Sequence, residues 1–303
     1  MYIIIAGPTC TGKSETAVRT AELVNGEVIS ADSMQVYRGM NIGTGKIRPG
    51  HMRGIPHHLI DILDVSEDFS AAKFRERCGA LIKDILKRGK TPVVAGGTGL
   101  YIDVLISGIA DIEEADKETK MKLRGLLDER GLDYIVGMLR EKDPEEAGRV
   151  DVKNPRRVLR SLEIMEASGM RASEIKKKAS ENALKEKNKM FVLDMNREEL
   201  YLRINRRVDE MIKKGLIKEV ESLINSGAEP GMNSMQAIGY KEIAECIIAG
   251  RAPESAAEEI KKATRNYAKR QITWFKRYGN AGRIDTGAVS PEKAAEIIAG
   301  SCP

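Results

Sequence analysis

Residues 7–14 read GPTCTGKS and fit the pattern G-x-x-x-x-G-K-[ST] of a phosphate-binding loop, or P-loop. An apolar run at 3–6 predicts a buried strand before the loop, and residues 15–24 favour a helix after it. The backbone N–H groups of such a loop surround phosphate oxygens, and the helix N-terminus adds positive potential. The stretch therefore predicts a diphosphate-like ligand held by Gly7, Pro8, Thr9, Cys10, Thr11, Gly12, Lys13 and Ser14.

Two side chains of this loop carry specific expectations. Lys13 can reach the outer phosphate, and the Ser14 hydroxyl can bind Mg²⁺. The less specific alternative, a Gly-rich turn with a chance lysine, does not account for the strand and helix on either side. The loop alone does not identify the molecule that carries the phosphates.

Outward from the loop, strand-like and helix-like segments alternate. Short apolar runs predict strands at 27–30, 58–62, 91–95 and 190–195, and residues 70–88 predict an amphipathic helix. This order predicts an α/β fold, a P-loop NTPase-like parallel sheet flanked by helices. The P-loop, Asp32 and Thr98 follow strand ends, where ligands of such sheets bind.

The chain changes character near residue 112. The stretch from 113 to 140 is charged and helical, and Asn154-Pro155 opens a helix that stops at Gly169. We therefore predict that 113–189 form an all-helical insertion domain, and that 1–112 with 190–303 form the P-loop core. Within the core, 198–225 and 256–278 predict long helices, and 283–285 a last edge strand.

Composition excludes several classes of protein. The four cysteines are scattered, with no CxxC pair, which argues against a zinc site or disulfides and fits a reducing compartment such as the cytoplasm. There is no signal-peptide pattern, and no apolar run approaches the ~20 residues that cross a bilayer. The net charge is only +5, but basic residues concentrate at 153–207 and 261–277, which favours a polyanionic partner.

Asp32 and Thr98 leave alternatives open. Asp32 can ligate Mg²⁺ or cap a helix, or it can accept a proton from an attacking nucleophile. The strand at 91–95 ends in Gly96-Gly97-Thr98, without the acid that many P-loop phosphotransferases carry there, which weakens an ATPase or kinase interpretation. The Thr98 hydroxyl can donate to a phosphate oxygen or cap the turn.

Basic side chains fall on three predicted helices. Arg203 and Arg207 are one helical turn apart, so they either form a solvated face or clamp a leaving diphosphate. Arg156, Arg157 and Arg160 lie near a helix N-terminus, where cations oppose the macrodipole, so an external anion explains them better. A late helix carries Lys262, Arg265, Lys269, Arg270, Lys276 and Arg277 among aromatic residues, which favours nucleic acid backbone over simple solvation.

Several segments together resemble the tRNA dimethylallyltransferase (tRNA isopentenyltransferase) family. They are GPTCTGKS at 7–14, ISADSMQVYRGMNIGTGK at 29–46, HHLIDI at 57–62, FSAAKFR at 69–75, GGTGLY at 96–101, NPRRVLRSLEI at 154–164, RINRRVDEMI at 203–212, QAIGYKEI at 236–243 and AKRQITWFKR at 268–277. They run nearly end to end in the family's order, and the DSMQVY and KRQITWF segments are more specific than the P-loop. No Cys/His cluster resembles the C-terminal zinc finger of eukaryotic members, so the chain looks like the shorter bacterial form.

The resemblance implies a reaction and roles. The family moves a dimethylallyl group from dimethylallyl diphosphate to N6 of the adenosine just 3′ of the anticodon, and diphosphate leaves. Lys13, Arg207 and Mg²⁺ on Ser14 would neutralise that diphosphate. Asp32 would take the proton of the adenine amine, and Thr98 would contact the donor or the tRNA at the reaction centre.

The resemblance also implies which segments contact the tRNA anticodon stem-loop. They comprise Asp32, Ser33, Met34, Gln35, Thr98, Lys120, Arg156, Arg157, Val158, Leu159, Arg160, Gln236, Ala237, Ile238, Gly239, Tyr240, Lys241, Lys269, Arg270, Gln271 and Trp274. A monomer is the simplest expectation, because one P-loop completes one site. Two rivals remain: a P-loop small-molecule or nucleotide kinase, and a nucleic-acid-binding P-loop protein without prenyl chemistry.

Overall fold

A computed structural model describes residues 1–109, 115–179 and 183–302. The chain divides into two compact units, the first formed by Met1–Asp103 with Lys185–Pro303 and the second by Val104–Leu184. The predicted boundary residues 112 and 113 lie outside the described residues, so the predicted domain limits stay a prediction.

The first unit is built on a six-stranded sheet in the order β3-β2-β4-β1-β5-β6, and every pairing is parallel. Its strands are β1 (Tyr2–Ala6), β2 (Gly26–Ser30), β3 (His57–His58), β4 (Thr91–Gly96), β5 (Asn188–Asp194) and β6 (Gly282–Asp285). Every residue of β1 and β2 is buried, because both faces of a parallel sheet are covered. The predicted fold class is confirmed.

Eight helices belong to the first unit or begin in it, among the residues that are described. They are α1 (Lys13–Leu23), α2 (Ala71–Lys87), α3 (Gly99–Ser107), α8 (Arg197–Lys213), α9 (Leu216–Asn225), α10 (Tyr240–Ile248), α11 (Ala257–Phe275) and α12 (Pro291–Gly300). In α2, Ser70 caps the N-terminus by accepting from the Lys73 N–H at 3.2 Å, as its sequence predicts. The apolar side chains of β1 and α1 pack with those of α12 in one core beneath the P-loop.

Two predicted elements differ from the structure. The single helix expected at 198–225 is two helices, because Gly215 adopts φ 98° between α8 and α9. The strand expected at 58–62 is only β3, because Leu59 and Asp61 take positive φ values of 60° and 54° that a strand cannot hold. Both changes are set by backbone conformation that the apolar pattern does not encode.

The second unit is helical over its described residues. It contains α4 (Lys117–Lys142), interrupted at Gly131, then α5 (Pro144–Arg149), α6 (Pro155–Ser168) and α7 (Ala172–Ala179). Asn154 caps α6 and Gly169 ends it at φ 66°, as predicted. Buried Asp143 caps α5 and also accepts from the Ser173 N–H at 2.8 Å, which joins α5 to α7. None of the helices described in either unit has both the length and the apolar character to span a bilayer.

Candidate active site

The P-loop follows β1 in a strained backbone path. Gly7 has φ 144°, and a Cβ there would lie 2.3 Å from the Leu193 carbonyl oxygen, so no larger residue fits. Cys10 adopts φ 67°, and Gly12 adopts φ 79° as it opens α1. The Thr11 hydroxyl donates to the Pro8 carbonyl at 2.8 Å and closes the loop on itself. The loop is thus held in one shape at the N-terminus of α1, where an anion is favoured.

Lys13 is the loop's cation. Its ammonium donates to the Pro8 carbonyl at 2.6 Å, a neutral partner. Burial lowers the pKa of Lys13 to about 8; Cys10 and Asp32 oppose that shift, whereas Arg207 adds to it. Among the residues that the structure describes, the ammonium has no anionic partner, and a bound diphosphate would supply one.

Arg207 on α8 reaches the same loop. Its Nη1 lies 3.8 Å from the Cys10 sulfur. It makes no ion pair with any residue in the described part of the chain. Arg203, its predicted partner in a clamp, instead pairs with Glu199 at 2.7 Å and does not line the cavity. Of the two arginines, only Arg207 therefore lines the cavity together with Lys13, and the clamp on a diphosphate stays a prediction.

Asp32 follows β2 and caps the next turn. Its Oδ1 accepts from the backbone N–H groups of Met34 at 2.9 Å and Gln35 at 3.3 Å. Its Oδ2 makes no hydrogen bond within residues 1–109, 115–179 and 183–302. One oxygen orients the carboxylate while the other stays able to accept a proton. Asp32 therefore caps a turn and not a helix. This geometry is compatible with a role as general base.

Thr98 lies at the end of β4 beside Asp32. Its hydroxyl accepts from the Ser33 N–H at 3.0 Å. The Tyr267 side chain of α11 lies beside Thr98, and burial, with the nearby Asp32, raises the pKa of Tyr267, so its phenol stays neutral. The carboxyl ends of β2 and β4 therefore place the Asp32 carboxylate and the Thr98 hydroxyl together, and α11 adds the Tyr267 hydroxyl beside them.

Gln271, one turn after Tyr267 on α11, joins the loop to β4. Its Oε1 accepts from the Thr9 N–H at 2.9 Å, and its Nε2 donates to the Gly97 carbonyl at 2.8 Å. Its residue is only 5% exposed. The sequence gives no local signal of this contact, because the two bonded partners are far away along the chain.

A cavity of about 910 Å³ in the first unit is lined by Lys13, Asp32, Arg207, Tyr267 and Gln271, among other residues. The cations on its wall are Lys13, Arg19, Lys46, Arg48, Arg53, Arg207 and Lys214, against the carboxylates Glu15, Asp32 and Glu210. Four of the cations have acidic partners: Arg19 with Glu15, Lys46 with Asp61, Arg53 with Glu22 and Lys214 with Glu210. Lys13, Arg48 and Arg207 have none in the described part of the chain, so the cavity attracts anions.

One wall of the cavity is the segment 41–46, which other elements hold in place. The Glu219 carboxylate accepts from the N–H groups of Asn41, Ile42 and Gly43 at 2.9 to 3.3 Å. Lys46, whose side chain is 4% exposed, donates to the Tyr37 carbonyl and to Asp61. This wall is therefore a rigid support for Arg207, which lies against Gly45.

A magnesium ion fits this donor set only in company with a substrate. Ser14 and Asp32 line the cavity with Lys13, and the described residues contain no group of three or more His, Cys, Asp or Glu side chains that could hold a metal. A hydroxyl and a single carboxylate suit a Mg²⁺ ion that keeps waters and is carried by phosphate oxygens.

Comparison with known proteins decides the family. The model of the IPP transferase family matches residues 35–278. A tRNA dimethylallyltransferase from Caldanaerobacter subterraneus subsp. tengcongensis is 48% identical over 280 residues, which cover 91% of this chain and 89% of the relative. The chain belongs to the IPP transferase family.

Solved structures of IPP transferases share the fold. The tRNA isopentenylpyrophosphate transferase from Bacillus halodurans matches with a TM-score of 0.72 at 40% identity, covering 98% of this chain and 94% of that one. A eukaryotic dimethylallyltransferase acting on tRNA matches with a TM-score of 0.80 at 32% identity, covering 94% of this chain and 73% of that one. The P-loop and Asp32 precede residues 35–278, which the family model matches. They line the same cavity as residues within that range.

In this IPP transferase, the residues predicted to contact tRNA separate by exposure. The exposed members are Arg156, Arg157, Arg160, Gln236, Lys241, Lys269 and Arg270. The partly buried members are Asp32, Ser33, Met34, Gln35, Thr98, Lys120, Ile238 and Trp274. The buried members are Val158, Leu159, Ala237, Gly239, Tyr240 and Gln271, which pack inside their own unit. Contact with tRNA therefore stays a prediction, and only the first two groups have side-chain surface available for it.

Trp274 on α11 is partly buried because its indole packs against Gly99. Its indole lies so close to Gly99 that a Cβ there would be 2.3 Å from Cδ1, and Arg277 stacks on the ring at 4.4 Å. Core packing, which the sequence favoured over base stacking for this residue, accounts for the contacts seen. The contact of Trp274 with Gly99 joins two segments that are distant along the chain, so no local sequence pattern could predict it.

Proposed function

We propose that this chain transfers the dimethylallyl group of dimethylallyl diphosphate to N6 of the adenosine just 3′ of the anticodon in tRNA, and releases diphosphate. The observation that carries the proposal is the single cavity lined by the cations Lys13 and Arg207 and by the Asp32 carboxylate. A prenyl diphosphate needs the cations, and an amine nucleophile needs the carboxylate as an acceptor for its proton. Family membership favours this reaction over the kinase alternative.

The donor's diphosphate would bind at the P-loop. Lys13 belongs to the loop and Arg207 lies against Cys10, and neither has an acidic partner in the described part of the chain. Their positive charge stabilises the diphosphate most as the bond to carbon breaks and negative charge builds up on oxygen. Ser14 would hold Mg²⁺, which when bound adds further positive charge to the leaving diphosphate.

The acceptor would be deprotonated by Asp32. As N6 of adenine forms a bond to C1 of the prenyl group, the bond from C1 to the diphosphate oxygen breaks, and N6 becomes positively charged. Oδ2 of Asp32 takes the proton from N6, while Oδ1 remains fixed by the Met34 and Gln35 N–H groups. Thr98 and Tyr267 present hydroxyls beside this position, where they orient the donor or the base.

The tRNA would be held by exposed cations in each unit. In the first unit, Lys269 and Arg270 are exposed on α11 and have no acidic partner among the described residues. In the second unit, Arg156 and Arg157 are exposed in the first turn of α6 and are likewise unpaired in the described part. Unpaired cations contact phosphates without having to break internal ion pairs. The monomeric state and cytoplasmic location stay predictions.

The test is incubation of the chain with labelled dimethylallyl diphosphate and unmodified tRNA. We expect label in the tRNA and release of diphosphate, both abolished by Lys13→Ala. Parallel titrations with dimethylallyl diphosphate and ATP should saturate below millimolar concentration only for the prenyl compound. Phosphoryl transfer from ATP without transfer of label would refute the proposal and favour the kinase.

A further inference from the structure

Gln271 is buried where three segments of the first unit meet. Its carboxamide accepts from the Thr9 N–H of the P-loop and donates to the Gly97 carbonyl after β4. Both functional ends of the amide are therefore used within the protein. A side chain that is only 5% exposed, with each end of its amide bonded inside the protein, leaves little surface for contact with a polynucleotide.

The surroundings allow the amide one orientation. A Cβ on Gly97 would lie 2.3 Å from Nε2 of Gln271, so the backbone closes tightly around the nitrogen. Tyr267, one turn earlier on α11, lies beside both Gln271 and Thr98. The amide is thus held by its hydrogen bonds to the P-loop and to the end of β4.

The bonded loop residue lies next to the loop's most strained position. Thr9 precedes Cys10, which adopts φ 67° although it has a side chain. Such a conformation persists only where neighbouring contacts determine it. The hydrogen bond from the Thr9 N–H to Gln271 supplies one of those contacts, and Gln271 lies 262 residues further along the chain.

We propose that Gln271 is a positioning residue, which holds the P-loop in the shape that binds the donor's diphosphate. It acts through the loop: its side chain reaches the cavity lining, but each end of its amide is bonded to the protein backbone. The proposal relies on the proposed function only for the identity of the donor. It reassigns Gln271, because the resemblance placed this residue among the contacts with tRNA.

The chemistry of the amide suggests a specific probe, the variant Gln271→Glu. An ionised glutamate keeps an acceptor for the Thr9 N–H but loses the donor to the Gly97 carbonyl. It also adds negative charge beside the diphosphate. A protonated glutamic acid regains an O–H donor in the place of Nε2. The defect of Gln271→Glu should therefore shrink as pH falls, relative to the wild type at each pH.

The experiment measures two affinities of the full-length chain separately. Calorimetry gives the affinity for inorganic pyrophosphate, and steady-state kinetics gives KM for donor and for tRNA. For Gln271→Ala we expect pyrophosphate affinity to fall about tenfold and donor KM to rise in parallel, with KM for tRNA changed by less than about twofold. Asn266→Asp, which adds a similar charge at an exposed position of α11, should leave pyrophosphate affinity unchanged.

Two results would overturn the proposal. One is a Gln271→Ala variant with unchanged pyrophosphate affinity and a raised KM for tRNA, which would restore the tRNA contact. The other is a Gln271→Glu defect that stays constant from about pH 8 to about pH 5.5, and this result decides the matter if Gln271→Ala does not fold. A wild type that fails to bind pyrophosphate would instead remove the proposed function, and this role with it.

Discussion

Gly45 leaves room for Arg207: a Cβ at position 45 would lie 1.7 Å from Nη2 of the arginine. Gly45 also has φ 60°, a conformation that disfavours any side chain. The cation at the P-loop is therefore placed in part by a glycine in the segment 41–46, which Glu219 anchors from α9.

We predict that Gly45→Ala lowers turnover ~10²-fold, because the displaced guanidinium no longer stabilises the leaving diphosphate. Gly54→Ala is the matched control, since Gly54 has φ 77° but nothing within 4 Å of its Cβ position. Both variants should lose ~1 kcal/mol of stability to backbone strain. Equal turnover in the two variants, measured by label transfer, would show that the contact with Arg207 has no consequence.

Lys13 should take up a proton when a diphosphate binds. Its pKa in the free protein is about 8, and an anionic partner raises it, so the complex holds more protons than the free protein above that pH. Affinity should therefore decline as pH rises through 8 and beyond. Calorimetry at about pH 8.5 in two buffers of different ionisation enthalpy measures the uptake. The uptake should vanish in Lys13→Arg, and an equal uptake there would assign the proton elsewhere.

Asp32→Asn should lower kcat by ~10²–10⁴-fold with tRNA affinity near that of the wild type. The asparagine carbonyl can still accept from the N–H groups of Met34 and Gln35, so the turn persists while the proton acceptor is lost. Asp64→Asn, an exposed change outside the cavity, serves as the control. A variant that loses tRNA affinity but keeps kcat would contradict the role of base.

The sequence predicted most of the features of this fold that depend on local sequence patterns. The alternation of apolar runs and helical stretches gave the α/β class, and caps such as Ser70 and Gly169 marked real helix ends. It failed at Gly215 and at Leu59, because a positive φ interrupts an element without changing its apolar pattern. Helix α12, which packs on α1, had no motif that distinguishes it.

Only those residues of the candidate site that carry its chemistry could be predicted from the sequence. Lys13 and Asp32 lie in motifs, so their meeting could be inferred from strand order. The contacts of Gln271 with Thr9 and of Arg207 with Gly45 join segments more than 150 residues apart in sequence. Such contacts follow from packing of α8 and α11 on the sheet, which no local pattern encodes.

Arg156→Ala with Arg160→Ala should weaken tRNA binding and flatten its salt dependence by about two units of log–log slope. Both side chains are exposed on α6, and Arg160 pairs with the neighbouring Glu163 at 3.3 Å. Filter binding over a range of salt concentrations measures the slope. Arg124→Ala with Arg149→Ala removes the same charge elsewhere in the helical unit and should leave the slope unchanged. A slope unaffected by the first pair would exclude α6 from the interface.

Glu27→Gln should destabilise the chain by about 2 kcal/mol, because the carboxylate, which is 2% exposed, no longer pairs with the cations Arg88 and Lys90. Hydrogen bonds from Arg88, Lys90 and His58 hold the pKa of Glu27 well below its ordinary value of 4.5. That stabilisation is complete above pH 4.5 and is lost as pH falls below it. Unfolding by urea at about pH 7 and about pH 3 should show the difference between variant and wild type shrinking at the lower pH. A constant difference would mean that packing, and not charge, is responsible.

The most direct measurement is mass analysis of unmodified tRNA after reaction with dimethylallyl diphosphate and this protein. We predict that nuclease fragments containing the adenosine just 3′ of the anticodon gain the mass of one dimethylallyl group in place of a hydrogen, and that Asp32→Asn nearly abolishes the gain. Fragments of unchanged mass under conditions where the diphosphate binds, or a gain at another nucleoside, would contradict the account.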